Sequence, residues 1–193
     1  VDVIDCNYVN QTQRGVYLNN GTNWHVATDP YFKCPVNLDS SMRIDDVNGD
    51  GLIDIIDGNY ANFEQRSSLL NNGSGWLINE TWKSPLNIDN NVRLLDVSGD
   101  GLVDIMDTNV ATYINNGTGW KSNSDWVSPI QFYDGLRFVD VNGDGFTDIL
   151  DAYAVDQAQR STYTNNQSFT YLLKNITTEE GGKISVHYRP STT

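Results

Sequence analysis

Apolar residues come in short runs set between clusters of Asp, Asn, Gly and Ser. Met42-Arg-Ile-Asp45, Val92-Arg-Leu-Leu95 and Leu136-Arg-Phe-Val139 are three such runs, and Asp54-Ile-Ile-Asp57, Asp104-Ile-Met-Asp107 and Asp148-Ile-Leu-Asp151 are three more. Runs this short, rich in β-branched and aromatic residues, predict strands. A second punctuation recurs as Asn19-Asn-Gly-Thr-Asn-Trp24, Asn71-Asn-Gly-Ser-Gly-Trp76, Asn115-Asn-Gly-Thr-Gly-Trp120 and, degenerate, Asn165-Asn-Gln-Ser-Phe169. Asn-Gly between apolar runs predicts a hairpin, since both residues tolerate positive φ. Beyond each of the first three hairpins an aromatic residue precedes a proline by three (Phe32 and Pro35, Trp82 and Pro85, Trp126 and Pro129), and each proline stands 11 residues before the next acidic loop.

That acidic loop joins the first kind of run to the second. Asp46-Val-Asn-Gly-Asp-Gly-Leu-Ile-Asp54, Asp96-Val-Ser-Gly-Asp-Gly-Leu-Val-Asp104 and Asp140-Val-Asn-Gly-Asp-Gly-Phe-Thr-Asp148 place oxygen side chains at positions 1, 3, 5 and 9 with glycines between. Ca²⁺ takes six to eight oxygens at about 2.3–2.6 Å, and a tightly curled loop can deliver most of them. An EF-hand requires flanking helices and a bidentate Glu at position 12. Here the flanks read as strands, position 12 is Asp57, Asp107 or Asp151, and an extended chain carries it roughly 10 Å beyond position 9. The position-12 aspartates are therefore outside the expected ligand set.

The position-9 aspartates are 50 and 44 residues apart, and Val1-Asp2-Val-Ile-Asp5 aligns with Ile53-Asp54-Ile-Ile-Asp57. Four units follow, at about 1–35, 36–85, 86–129 and 130–174, the first lacking its leading strand and loop. We read a chain that opens in mid-repeat as processed or partial. Each complete unit reads as lead-in strand, calcium loop, second strand, connection, third strand, Asn-Gly hairpin, fourth strand and Pro link. The predicted fold is all-β, with tandem four-stranded antiparallel blades of β-propeller type carrying calcium loops. Alternating strand direction puts loops and hairpins on one side. The opposite side takes the Pro links and the connection between strands two and three, which is longer in units one, two and four and there contains Gln13-Arg14, Gln65-Arg66 or Gln159-Arg160.

Composition sharpens the picture. A chain of 193 residues, 38% hydrophobic and 11% aromatic, can fill a core. No apolar run reaches the length that spans a bilayer, and no signal peptide is seen. A formal charge of −13 argues against nucleic acid as a partner; three Ca²⁺ would leave about −7. Cys6 and Cys34 fit no zinc spacing, and a disulfide between them, closing a loop of about 29 residues, is the expected pairing, with two buried free thiols as the alternative. Seven sequons stand at Asn10, Asn20, Asn72, Asn79, Asn116, Asn166 and Asn175, four of them on the second Asn of a hairpin. They are candidate glycosylation sites in a eukaryotic secreted protein and plain turn chemistry otherwise. His25 and His187 are the only histidines and neither adjoins a nucleophile motif, so catalysis is not expected.

With loops, strands and hairpins in place, the sequence resembles the FG-GAP/VCBS repeats of integrin-α-like β-propellers over residues 1 to about 174. The resemblance implies three structural Ca²⁺, held by side chains at positions 1, 3, 5 and 9 and by a position-7 carbonyl. The ligands are then Asp46, Asn48, Asp50, Leu52 and Asp54; Asp96, Ser98, Asp100, Leu102 and Asp104; and Asp140, Asn142, Asp144, Phe146 and Asp148. Ser98 departs from the Asn/Asp of that pattern, and the family's seven blades exceed the units present. The tail after residue 174 looks like the segment following such repeats in toxin-complex B components and Rhs-type surface proteins. Its alternating Lys183-Ile-Ser-Val-His-Tyr-Arg189 is expected to pair with the open edge of the first unit, within one molecule or between molecules. These features point to an extracellular or cell-surface module for adhesion or assembly, partnered by protein through self-association or a larger parent chain. A carbohydrate-binding propeller using Trp24, Trp76, Trp82, Trp120 or Trp126, and the shell of a secreted toxin, are the rival readings.

Overall fold

A computed structural model of the chain describes residues 2–6, 15–28, 33–36, 38–58, 66–152, 160–167 and 173–187. These form sixteen strands in five antiparallel sheets and no helix. The first sheet has β1 (Val3–Asp5), β2 (Gly15–Asn19) and β3 (Trp24–Val26), in that order. The second has β4 (Met42–Asp45), β5 (Asp54–Asp57), β6 (Ser67–Asn71) and β7 (Trp76–Asn79). The third has β8 (Val92–Leu95), β9 (Asp104–Asp107), β10 (Thr112–Asn115) and β11 (Trp120–Asn123). The fourth has β12 (Leu136–Val139), β13 (Asp148–Asp151) and β14 (Ser161–Tyr163), and the fifth β15 (Asn175–Thr177) with β16 (Lys183–Ser185).

Register repeats along the chain. The acidic loops are closed by the pairs Asp45↔Asp54, Leu95↔Asp104 and Val139↔Asp148. The hairpins are closed by Asn19↔Trp24, Asn71↔Trp76 and Asn115↔Trp120. Four residues therefore separate each hairpin pair, and positive φ falls on glycine (Gly21 91°, Gly73 78°, Gly117 79°, with Gly119 at 153° in the third loop) while the asparagines keep ordinary backbone angles. That differs from the Asn-Gly expectation, because a four-residue loop does not need two consecutive left-handed residues.

The core lies between successive sheets. Val47 and Ile56 of the second unit meet Val92 and Ile105 of the third, with Trp82, Leu86 and Ile88 of the link filling the space between. Val97 and Met106 of the third unit meet Leu136 and Ile149 of the fourth. Successive side chains on a strand point to opposite faces, so the neighbours Ile105 and Met106 are buried on opposite sides of one sheet. This explains why the second strands read Ile-Ile or Ile-Met rather than alternating with polar residues. Each such side chain contributes about 1.5–3 kcal/mol on burial.

The described residues show stacked three- and four-stranded sheets and no closed ring. A fourth strand for unit four was expected after Asn165, and that segment, with Phe169, lies outside the described residues. So do Phe32, Gln13, Arg14, Gln65, Gln159, Arg189 and the candidate glycosylation site Asn10. The terminal strand corrects an expectation. Lys183–Ser185 pairs with Asn175–Thr177 through Ile176↔Ile184, and not with β1 of its own molecule. A tight turn makes the local pairing easier: Thr178 N–H donates to the Gly182 carbonyl at 2.8 Å and Gly181 takes φ 81°. Closing so short a loop costs less chain entropy than reaching a strand near residue 3.

Candidate metal centre

Each acidic loop folds around its own carboxylates. Asp46 accepts the Gly49 amide through Oδ1 at 2.8 Å and the Gly51 amide through Oδ2 at 2.7 Å. Asp96 accepts Gly99 and Gly101 at 2.6 and 2.8 Å, and Asp140 accepts Gly143 and Gly145 at 2.7 and 2.8 Å. The glycines at loop positions 4 and 6 all lie at φ between 75° and 90°, where a Cβ is costly. Asp50, Asp100 and Asp144 accept the amides of Leu52, Leu102 and Phe146 at 2.8, 2.9 and 2.9 Å. Asn48 and Asn142 each donate Nδ2 to the position-5 carboxylate, at 2.9 and 2.8 Å. Ser98 is too short for that bond and instead donates Oγ to Asp96 at 3.4 Å.

Position 9 ties loop to hairpin. Asp54, Asp104 and Asp148 are fully buried. Each accepts through Oδ2 the amide of loop position 2 (Val47 3.1 Å, Val97 3.0 Å, Val141 3.0 Å). Each also accepts through Oδ1 the amide of the first hairpin asparagine (Asn71 2.8 Å, Asn115 2.8 Å, Asn165 2.7 Å). Asp2 accepts the Asn19 amide at 2.8 Å in the same way, which makes it the position-9 residue of unit one, as the alignment of the chain start implied. Burial pushes Asp54 and Asp104 up to about 6 against the lowering pull of these amides, with Asp50 and Asp46 adding charge repulsion at Asp54 and Asp96 at Asp104. Asp140 is held below the usual carboxylate range, chiefly by the Gly145 amide.

The donor set is chemically suited to a hard cation: oxygens only, three carboxylates in nine residues, one of them buried. In the conformation seen, those oxygens are turned to backbone amides. No three acidic or His/Cys side chains converge on a common metal position among the described residues. The side chains at positions 1, 3 and 5 are partly or fully exposed, and a carboxylate oxygen that accepts an amide keeps a second lone pair for a cation. Asp57, Asp107 and Asp151 lie at the far ends of their strands, away from the loops.

The structure also gives roles to residues that recur along the sequence. The hairpin asparagines reach backward by one unit: Asn115 Nδ2 donates to the Val47 carbonyl at 2.8 Å and Asn165 Nδ2 to the Val97 carbonyl at 2.9 Å. The lead-in arginines reach forward: Arg43 donates Nη2 to the Asp89 carbonyl at 2.7 Å, and the Arg93 guanidinium lies 5.3 Å from the Phe132 ring centroid. Their signal was recurrence, Arg second in every lead-in run and Asn first in every hairpin. Trp82 is buried edge-on to Trp120 at 5.4 Å, and Trp120 Nε1 donates to the Trp82 carbonyl, so these two aromatics pack between sheets. Arg66 is buried and donates to the Ser84 carbonyl and to Asn87 Oδ1.

Cys6 and Cys34 form a disulfide with Cα atoms 5.5 Å apart, joining the end of β1 to the segment after β3. Asn20, Asn72 and Asn116 are exposed on hairpin tips, each accepting the amide and hydroxyl of its own Thr22, Ser74 or Thr118. Asn166 and Asn175 are exposed as well, whereas Asn79 is partly buried and accepts the Thr81 amide. No helix among the described residues is long and apolar enough to cross a membrane. In comparisons with known proteins, no family model, no curated protein and no solved structure matches this chain.

Proposed function

We propose that this chain is a calcium-stabilised β-repeat module of FG-GAP/VCBS type, acting outside the cell or at its surface in adhesion or assembly. The observation that carries the reading is the buried aspartate that ends each acidic loop. Asp54, Asp104 and Asp148 each stitch loop to hairpin, with further carboxylates four and eight residues upstream. Asp46, Asn48, Asp50 and Asp54, with their counterparts in the other two loops, are the side chains that would hold the ion. Bound Ca²⁺ would supply charge neutralisation and a fixed loop shape, and the surrounding amides already pre-fold the curl around it. Extracellular placement is supported by the disulfide, which persists in oxidising compartments, and by sequons on exposed tips. The packing of Trp82 and Trp120 between sheets supports assembly over carbohydrate binding.

Isothermal titration of the chelator-treated chain with Ca²⁺ tests the reading. Three equivalents should bind, the loop containing Ser98 most weakly, and the melting temperature should rise with free Ca²⁺. Absence of binding at millimolar Ca²⁺ would remove the proposal. Loss of mass on deglycosylation of protein from a eukaryotic host would check the sequons.

A further inference from the structure

The acidic loops of the second and third units are each held from two sides, and one of those sides belongs to the next unit. Leu102, at position 7 of the third unit's loop, lies over Gly49 at position 4 of the second. A Cβ built on Gly49 would stand 2.8 Å from Leu102 Cδ2. The Phe146 ring covers Gly99 in the same way and is 2% exposed. Both glycines carry the closure of their loop, since the Gly49 amide donates to Asp46 Oδ1 at 2.8 Å and the Gly99 amide to Asp96 Oδ1 at 2.6 Å.

A second contact reaches the same loops through hydrogen bonds. Asn115 Nδ2 donates to the Val47 carbonyl and so fixes the peptide that joins Val47 to Asn48, the position-3 residue. Val47 in turn donates its amide to the buried Asp54 at 3.1 Å. The backbone amide of Asn115 donates to Asp104 of its own unit, so one line of bonds runs through Asp104, Asn115, Val47 and Asp54. At the next joint the line runs through Asp148, Asn165, Val97 and Asp104. There the peptide between Val97 and Ser98 is held at both ends, its carbonyl by Asn165 Nδ2 and its amide by Asp104 Oδ2 at 3.2 Å. Groups that orient metal ligands from behind typically change affinity by about 10–100-fold when removed.

We propose that the cation site of one unit is completed by the next, with Leu102 and Asn115 as positioning residues for the loop 46–54 and Phe146 and Asn165 for the loop 96–104. The inference rests on the reading of these loops as calcium sites, which their all-oxygen donors and one buried carboxylate fit. A loop's own unit holds it at positions 1, 5 and 9. The peptide between positions 2 and 3 and the glycine at position 4 take their places from the neighbour. By linkage, a loop that binds Ca²⁺ better with its neighbour docked makes Ca²⁺ tighten that joint. Calcium then stiffens the contact between units as well as each loop.

Amide NMR of the full chain, titrated with Ca²⁺ after chelation, is the test, because Gly51, Gly101 and Gly145 report the three loops separately. All three resonances should respond in wild type. Leu102→Ala keeps the position-7 backbone, and Asn115→Ala keeps the backbone amide on Asp104, so both leave the loop 96–104 its own hydrogen bonds. Each should raise the Ca²⁺ midpoint read at Gly51 by about tenfold and leave those at Gly101 and Gly145 in place. Leu102→Met, close in volume, should keep the wild-type midpoint at Gly51. Asn165→Ala should move the effect one unit on, to Gly101. Hydrogen exchange at Val92 and Ile105, buried in the joint, should slow with Ca²⁺ in wild type and slow less in Leu102→Ala. A shift at Gly101 alone in Leu102→Ala overturns the proposal and assigns position 7 to its own loop. Equal shifts in all three loops, or none, overturn it too, while Ca²⁺ still binding leaves the calcium reading standing. A wild type that responds in no loop removes both. If Asn115→Ala unfolds, Leu102→Ala decides.

Discussion

Asn115 and Val47 are 68 residues apart, yet the Asn115 side-chain amide donates to the Val47 carbonyl at 2.8 Å inside the joint between the second and third sheets. Both residues are fully buried, so this bond satisfies a backbone carbonyl that water cannot reach. Asn115→Ala should destabilise the chain by about 1–3 kcal/mol, the cost of stranding a buried acceptor. The same change at the partly buried Asn165 should cost less. Urea unfolding of the two variants measures the difference, and equal losses would show that the joint is not what the bond protects.

Loops of successive units touch as well. A Cβ built on Gly99 would meet the Phe146 ring at 2.1 Å, whereas one on Gly101 would meet nothing within 4 Å. The two glycines have similar backbone angles, φ 75° and 87°. Gly101→Ala should therefore cost only the left-handed backbone penalty of about 1–2 kcal/mol. Gly99→Ala should add overpacking against Phe146, typically a further 1–3 kcal/mol. Comparable melting temperatures for the two variants would contradict loop stacking.

The metal-free chain should be stabilised by mild acid. Asp54 and Asp104 titrate near 6 in the folded chain, raised mainly by burial, while an unfolded aspartate titrates near 3.9. Between those values the folded state binds more protons. Stability is then fully present below about pH 4 and is lost as pH rises through about 6. In Ca²⁺ the slope should reverse, because protons compete with the cation for the same oxygens. Thermal melts across this range, with chelator and with Ca²⁺, read both signs, and a metal-free chain that melts earlier as the pH falls from 7 toward 4 would refute the first.

Reducing Cys6–Cys34 should loosen the first sheet selectively. That sheet has three strands where the second and third have four, and the bridge spans 28 residues of sequence. The chain-entropy model gives about 3–4 kcal/mol for a loop of this size. Hydrogen exchange after reduction should rise in Val3–Asp5 and Gly15–Val26 before it rises in β8–β11. Uniform loss of protection would mean that the sheets unfold as one unit.

The sequence by itself determined the strands that flank the acidic loops and hairpins, their order within each unit and the shared end of loops and hairpins, and it made Cys6–Cys34 the expected pairing. Each of these is local: acidic loops and Asn-Gly hairpins close over a few residues, and runs such as Asp54-Ile-Ile-Asp57 carry their period in themselves. Only the tertiary structure decided which unit's asparagine meets which unit's valine, that Arg43 and Arg93 serve the following unit and that Lys183–Ser185 folds back on Asn175–Thr177. Asn and Arg recur at these positions in the sequence, but recurrence does not say across which gap they act, because a repeat looks the same to its predecessor as to its successor. The direction of reach is set by sheet stacking, a non-local choice that no period in the sequence encodes.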